Sequence, residues 1–260
     1  MSMLQSENLT IGYDRRIVVE ELSVSLPAGR ITAVVGANGS GKSTLLKAFS
    51  RVLAPFSGGV YLDGESIHQM PSRALARQLS ILPQSPQAPD SLTVAELVSH
   101  GRYPHRRWLG SMGPDDQKKI EWALDVVELS SLRDRPVDSL SGGQRQRVWI
   151  AMTLAQGAEI LLLDEPTSYL DMCHQLEVME LLARLSADQG KTIVMVLHDV
   201  NLAARYAGHM ILIREGGILA EGSPDEVMTP LAFREAFGVD ACITRDPRHG
   251  TPVCLAYPAT

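Results

Sequence analysis

Cysteine is scarce in this sequence: Cys173, Cys242 and Cys254 are widely spaced, odd in number and form no CxxC pair. That leaves out a disulfide framework and predicts reduced core or surface thiols in a cytoplasmic setting. Long apolar runs are missing too. The longest, such as Ile160-Leu161-Leu162-Leu163, fall far short of the roughly 20 residues that a membrane span needs. Residues 1–8 are mixed and polar, with no apolar core of the kind that opens a secretory signal. The chain is therefore expected to be soluble or peripheral. No basic stripe is evident either. Formal net charge is −6, with Lys and Arg scattered among the acids, which argues against a nucleic-acid partner held by phosphate neutralisation. What is present is an ordinary globular balance, 45% hydrophobic and 21% charged. Its 260 residues suffice for one domain or two closely packed lobes.

Several short apolar runs end abruptly in polar or glycine-rich segments. Residues 31–35 lead into Gly36, 79–82 into Pro83-Gln84, 160–163 into Asp164-Glu165-Pro166, and 193–197 into His198-Asp199. Apolar throughout, they predict strands of a mostly parallel sheet buried on both faces. Helix-period stretches over 43–53, 114–128, 142–156 and 172–189 alternate with them, giving an α/β fold. Ligands in such sheets gather at the carboxyl ends of strands, where these polar residues sit. Residues 1–30 and 57–83 read as an antiparallel layer beside that core. Residues 86–136, punctuated by Pro, Gly and Arg, read as an inserted helical lobe.

The segment Gly36-Ala37-Asn38-Gly39-Ser40-Gly41-Lys42-Ser43, with Thr44 next, fits GxxxxGK[ST] between a strand and a helix. Its glycines let backbone N–H groups close around phosphates, and the helix start adds its positive end. Lys42 is expected to neutralise the β- and γ-phosphates of ATP, and the Ser43 hydroxyl to ligate Mg²⁺. Asp164-Glu165 would leave two charges at the end of a buried strand without a cationic partner, and Mg²⁺·ATP supplies one. Asp164 is then the Mg²⁺-side carboxylate, and Glu165 the group that polarises an attacking water.

Leu140-Ser141-Gly142-Gly143-Gln144 opens a further helix and exposes N–H groups and a hydroxyl at its start, a second anion site. Placed between the phosphate loop and the acid pair, it resembles the signature motif of ABC ATPases. The resemblance spans approximately residues 3–225. It implies a P-loop NTPase with a mostly parallel core sheet, an antiparallel β layer and an inserted helical subdomain. Residues 1–84 and 137–225 would form the ATPase core, 85–136 the helical subdomain and 226–260 a C-terminal extension capping the sheet. It also implies roles. Tyr13 stacks on adenine, Gln84 reaches Mg²⁺ and the attacking water, and His198 contacts the γ-phosphate. Ser168-Tyr169-Leu170-Asp171 corresponds to the D-loop. A second γ-phosphate site in a chain that already has a full cradle makes sense if Ser141, Gly142, Gly143 and Gln144 face the nucleotide of another copy, in a head-to-tail homodimer.

Gly101-Arg102-Tyr103-Pro104-His105, Leu170-Asp171-Met172-Cys173-His174-Gln175 and Leu197-His198-Asp199-Val200-Asn201 look like the ATPases of ferric-siderophore importers. That implies a peripheral subunit on the cytoplasmic face of the inner membrane. Its partners would be two transmembrane permease subunits and, indirectly, a substrate-binding protein. Haem and cobalamin importers share much of this pattern, and a non-transport ABC ATPase is the alternative of a different class. Arg106-Arg107 read as solvated loop charge in preference to a permease or headgroup contact.

Overall fold

A computed structural model describes residues 3–89, 91–106, 112–168 and 170–259. Among them, β3 (Ile31–Gly36), β6 (Leu79–Leu82), β7 (Ile160–Asp164), β8 (Thr192–Val196) and β9 (His209–Arg214) run parallel. With β10 (Gly217–Gly222) antiparallel at one edge, their order is β10-β9-β3-β8-β7-β6. Every residue of β3, β7 and β8 is buried. Alternate side chains serve opposite faces: Leu161, Leu163, Ile193 and Met195 join the core under the helical lobe, whereas Leu162, Val194 and Val196 face the other way. That is why these strands carry no polar alternation.

The second face packs on α1 (Lys42–Phe49), whose Leu45, Leu46 and Phe49 lie between it and an antiparallel sheet. That sheet has the order β2-β1-β4-β5, from β1 (Leu4–Tyr13), β2 (Arg16–Leu26), β4 (Ser57–Leu62) and β5 (Glu65–Ser66). Residues 57–83 follow the antiparallel reading only as far as Ser66, and 79–82 follow the parallel-strand reading instead. Residues Ser72–Gln78 form helix α2, and β6 crosses into the core sheet beside β7. The reason is burial: Leu79 and Leu82 have no solvent-facing side, so the strand pairs inside. The α1 helix also stops earlier than its apolar period suggested, with Arg51 at φ 61° just beyond it. The β9–β10 hairpin was not anticipated from the sequence.

The inserted lobe contains α3 (Val94–His100) and α4 (Pro114–Val126), both packed on α5 (Gly142–Ala155). Thr93 caps α3 in a reciprocal box with Glu96, and Pro114 starts α4. The lobe's two ends are stitched side by side: the Val94 N–H donates to Arg135 O (3.0 Å) and the Val137 N–H to Leu92 O (2.9 Å). Arg106 is half-buried, and Arg107 lies outside the described residues. Helix α6 (Met172–Gln189) ends on Gly190 in the left-handed conformation, and α7 (Val200–Tyr206) comes after β8.

Beyond β10 come α8 (Pro224–Val227), α9 (Pro230–Phe237) and a hairpin of β11 (Val239–Arg245) with β12 (Pro252–Pro258). Phe233 and Ala236 of α9 join the core beneath the helical lobe. Asn201 of α7 fastens β12, accepting from the Cys254 N–H (2.7 Å) and donating to Cys254 O (3.2 Å). Cys254 is buried, whereas Cys173 and Cys242 are exposed; all three are free thiols.

Replacing Asn201 by Ala leaves both Cys254 backbone groups without that partner. The loss is expected to lower stability by about 1–3 kcal/mol. A fall in the urea midpoint, with faster proteolysis within 239–258, is the expected result; an unchanged midpoint would mean the hairpin is held by packing alone.

Candidate active site

The parallel register sets the site. Asp164 of β7 pairs with Val196 of β8, Val196 with Val34 of β3, and Leu82 of β6 with Leu163. The strands thus end level, and the segments leaving them enter the same space.

After β3 the chain turns into the phosphate loop. Gly36 has φ 150°, and a Cβ there would lie 2.2 Å from Ile213 O, so only glycine lets the loop leave the sheet beside β9. Gly41 caps α1 with φ 107°. Lys42 is buried and its Nζ donates to the Gly36 and Ala37 carbonyls, each at 2.8 Å. Burial pushes its pKa down, while Glu165 and Asp164 pull it back up by charge attraction. The Ser43 hydroxyl donates to Asp164 Oδ1 at 2.9 Å. Burial raises the Asp164 pKa against that hydrogen bond.

Glu165 holds a positive φ of 53°, uncommon for a residue with a side chain, and its N–H donates to Val196 O (3.2 Å). Both carboxylate oxygens are engaged: His198 Nε2 lies 2.5 Å from Oε1, and the Ser168 hydroxyl donates to Oε2 at 2.7 Å. Gln84, just past β6, is close enough for its side chain to favour the ionised carboxylate too. Burial alone would raise the Glu165 pKa; the bonds from Ser168 and His198, with Gln84 beside them, outweigh it and hold the carboxyl below its ordinary value.

Tyr13, Asn38, Lys42, Ser43, Glu165 and His198 line one cavity of about 680 Å³, together with Gly39, Gly41 and Thr44. Lys47 sits over the Tyr13 ring, its Nζ 5.6 Å from the centroid. A loop of backbone donors, a buried ammonium, a hydroxyl backed by the Asp164 carboxylate and the Glu165 carboxylate at one cavity suit a polyphosphate and a water to attack it.

The other expected residues stand apart from that cavity. Ser141 caps α5, its hydroxyl accepting from the Gln144 N–H (3.3 Å) while Gln144 Oε1 accepts from the Ser141 N–H (3.2 Å). Gly142 and Gly143 form the first turn of α5, and Asp171 caps α6. Tyr169 lies outside the described residues. Ser168 stood out in the sequence only as part of its loop, yet it binds Glu165 directly; its position three residues on is the spacing of a local side-chain bond. Gln146, whose Nε2 donates to Pro166 O at 2.9 Å, carried no sequence signal.

The ABC transporter family profile matches residues 19–168. The chain is 51% identical to the iron(3+)-hydroxamate import ATP-binding protein FhuC of Bacillus subtilis (strain 168), over 99% of this chain and 96% of that one. It is similar to an inward-facing ABC transporter of metal-chelate type (TM-score 0.85, 28% identity, covering 98% and 97% of the two chains). It also resembles the dimeric bacterial ABC transporter cassette MJ0796 (TM-score 0.75, 29% identity, covering 85% and 98%).

Gly36→Ala would force a Cβ against the Ile213 carbonyl at a φ that L-residues rarely adopt. A loss of at least about 2 kcal/mol is expected, measured as a lower urea midpoint together with weakened ATP binding. Wild-type values for both would show that the loop can leave β3 along another path.

Proposed function

We infer the activity from one premise, that the chain belongs to the ABC transporter family. It is the ATP-binding and ATP-hydrolysing subunit of an importer, and the proposed cargo is a ferric siderophore. The single observation that carries the enzymatic reading is Glu165, ionised by its hydrogen bonds and lining the same cavity as Lys42 and Ser43. The cargo class rests on likeness to an import protein named for iron(3+)-hydroxamate and to an ABC transporter of metal-chelate type.

In this reading the backbone donors of residues 36–44 and the Lys42 ammonium hold the triphosphate of ATP. Glu165 accepts a proton as a water oxygen bonds to the γ-phosphorus and the β–γ bridging bond breaks, giving ADP and inorganic phosphate. His198, bonded to Glu165, and Gln84 beside it orient the carboxylate and the water. Tyr13, at the cavity's edge, offers a face to the adenine.

Ser43, Asp164 and Gln84 present hard oxygen atoms of the kind Mg²⁺ prefers. Among the described residues no three His, Cys, Asp or Glu side chains cluster to hold a metal by themselves, so phosphate and water would complete the shell. When bound there, Mg²⁺ supplies charge neutralisation on the β- and γ-oxygens.

Ser141 and Asp171 lie outside this cavity, and they gain a function if a second copy brings them to it head to tail. ATP shared between the two copies would then stabilise the closed homodimer, and hydrolysis would release it. No helix among the described residues is long and apolar enough to cross a membrane. In this reading translocation is the task of separate permease subunits, which the chain would meet on the cytoplasmic face, with a substrate-binding protein delivering the cargo. The helical lobe comes directly after Gln84 in the chain, so movement of Gln84 at the site is a route from nucleotide to permease.

Glu165→Gln is expected to keep ATP binding, to lower turnover by about 10²-fold or more, and to accumulate as a dimer with ATP on size exclusion. Full-rate hydrolysis by that variant would discard the general-base role, and a strictly monomeric variant with ATP would discard the shared site. Loss of the gene should abolish growth on the cognate ferric siderophore as sole iron source; undiminished growth on every such source would remove the cargo class.

A further inference from the structure

The stretch Met172-Cys173-His174-Gln175 finds no task in the cavity, yet it sits where two separated half-site elements meet. The Asp171 Oδ1 atom accepts from both the His174 N–H (3.0 Å) and His174 Nδ1 (2.8 Å). On its other side the His174 ring lies against Gly143, where a Cβ would come within 3.2 Å of ring atoms Cγ and Cδ2. One side chain thus touches the first turn of α5 and the carboxylate that caps α6.

Neighbouring bonds tie the same two elements. Gln175 Nε2 donates to the Leu170 (3.1 Å) and Thr167 (3.4 Å) carbonyls, and Gln146 Nε2 of α5 donates to Pro166 O (2.9 Å). Arg147 of α5 pairs with Glu177 of α6 at 2.6 Å. These contacts bind α5, α6 and the turn after Glu165 into one unit. His174 is the member of that set whose two contacts are both residues assigned to the partner's nucleotide.

We propose that His174 is a positioning residue that fixes Asp171 relative to the Ser141–Gly143 turn, so that both enter the second subunit's nucleotide site in a single geometry. This rests on the shared-site reading above. It acts through Asp171 and Gly143 and touches no reacting atom. Its effect should fall on turnover, because misplacing groups around a reacting centre by about 1 Å costs rate far more than it costs binding. The first chain's own cradle, which binds ATP, does not include it.

The test compares His174→Ala with His174→Asn in the full chain, measuring ATP hydrolysis against ATP concentration and thermal unfolding. Asn places an amide N–H near the position of Nδ1 and keeps the bond to Asp171. His174→Ala is expected to lower kcat about tenfold with KM changed less than about twofold and unfolding unmoved, and His174→Asn to recover most of the rate. Wild-type turnover in the Ala variant, a loss carried by KM alone, a fall in rate that tracks a fall in thermal stability, or an Asn variant as slow as Ala would each overturn the proposal. A wild-type chain that hydrolyses no ATP would instead sink the reading on which it rests, and a monomer that hydrolyses at full rate would do the same.

Discussion

Two carboxylates at the end of a fully buried strand set the terms for everything around them. Asp164 and Glu165 are almost solvent-free, and an uncompensated charge there would be severely unfavourable. Each is answered by specific groups: Ser43 for Asp164, and Ser168, His198 and Gln84 for Glu165, with the Lys42 ammonium nearby. These partners come from three strand ends and the phosphate loop. The site therefore exists only if the core sheet closes in one register, which the apolar strands enforce from both faces.

The two carboxylates differ because their surroundings do. Burial dominates at Asp164 and raises its pKa, a cost that a divalent cation beside it would remove. At Glu165 burial is outweighed by Ser168 and His198, with Gln84 beside them, and the carboxyl is held below its ordinary value. Its positive φ is strain held in place by β7 on one side and the Val196 carbonyl on the other, at the position where the chemistry is assigned.

A division of labour runs through the rest of the molecule. The phosphate loop lines one cavity, whereas Ser141 and Asp171 cap α5 and α6 away from its lining. The stitched ends of the helical lobe at Leu92–Val94 and Arg135–Val137 keep α3 and α4 attached to α5 as one body. The same α5 is also tied to α6 and to the turn after Glu165, so the lobe is fastened to the site's own elements.

Much of this was legible in the residues because it is local. A phosphate loop, a capped Ser-Gly-Gly turn and an apolar strand ending in two acids each announce themselves within a few positions, as does a strand that must be buried on both faces. The sequence determined the α/β core, the cradle and the identity of Lys42, Ser43, Asp164 and Glu165. Only the tertiary structure decided which of its two readings β6 follows, that β9 and β10 form a hairpin against β3, and that Ser168 and His198 converge on one carboxylate. It alone brought His174 against Gly143. Those facts depend on which strand finds which neighbour and which side chains then face each other across tens of residues. Pairing of that kind is fixed by packing and burial over the whole chain, and no local pattern carries it.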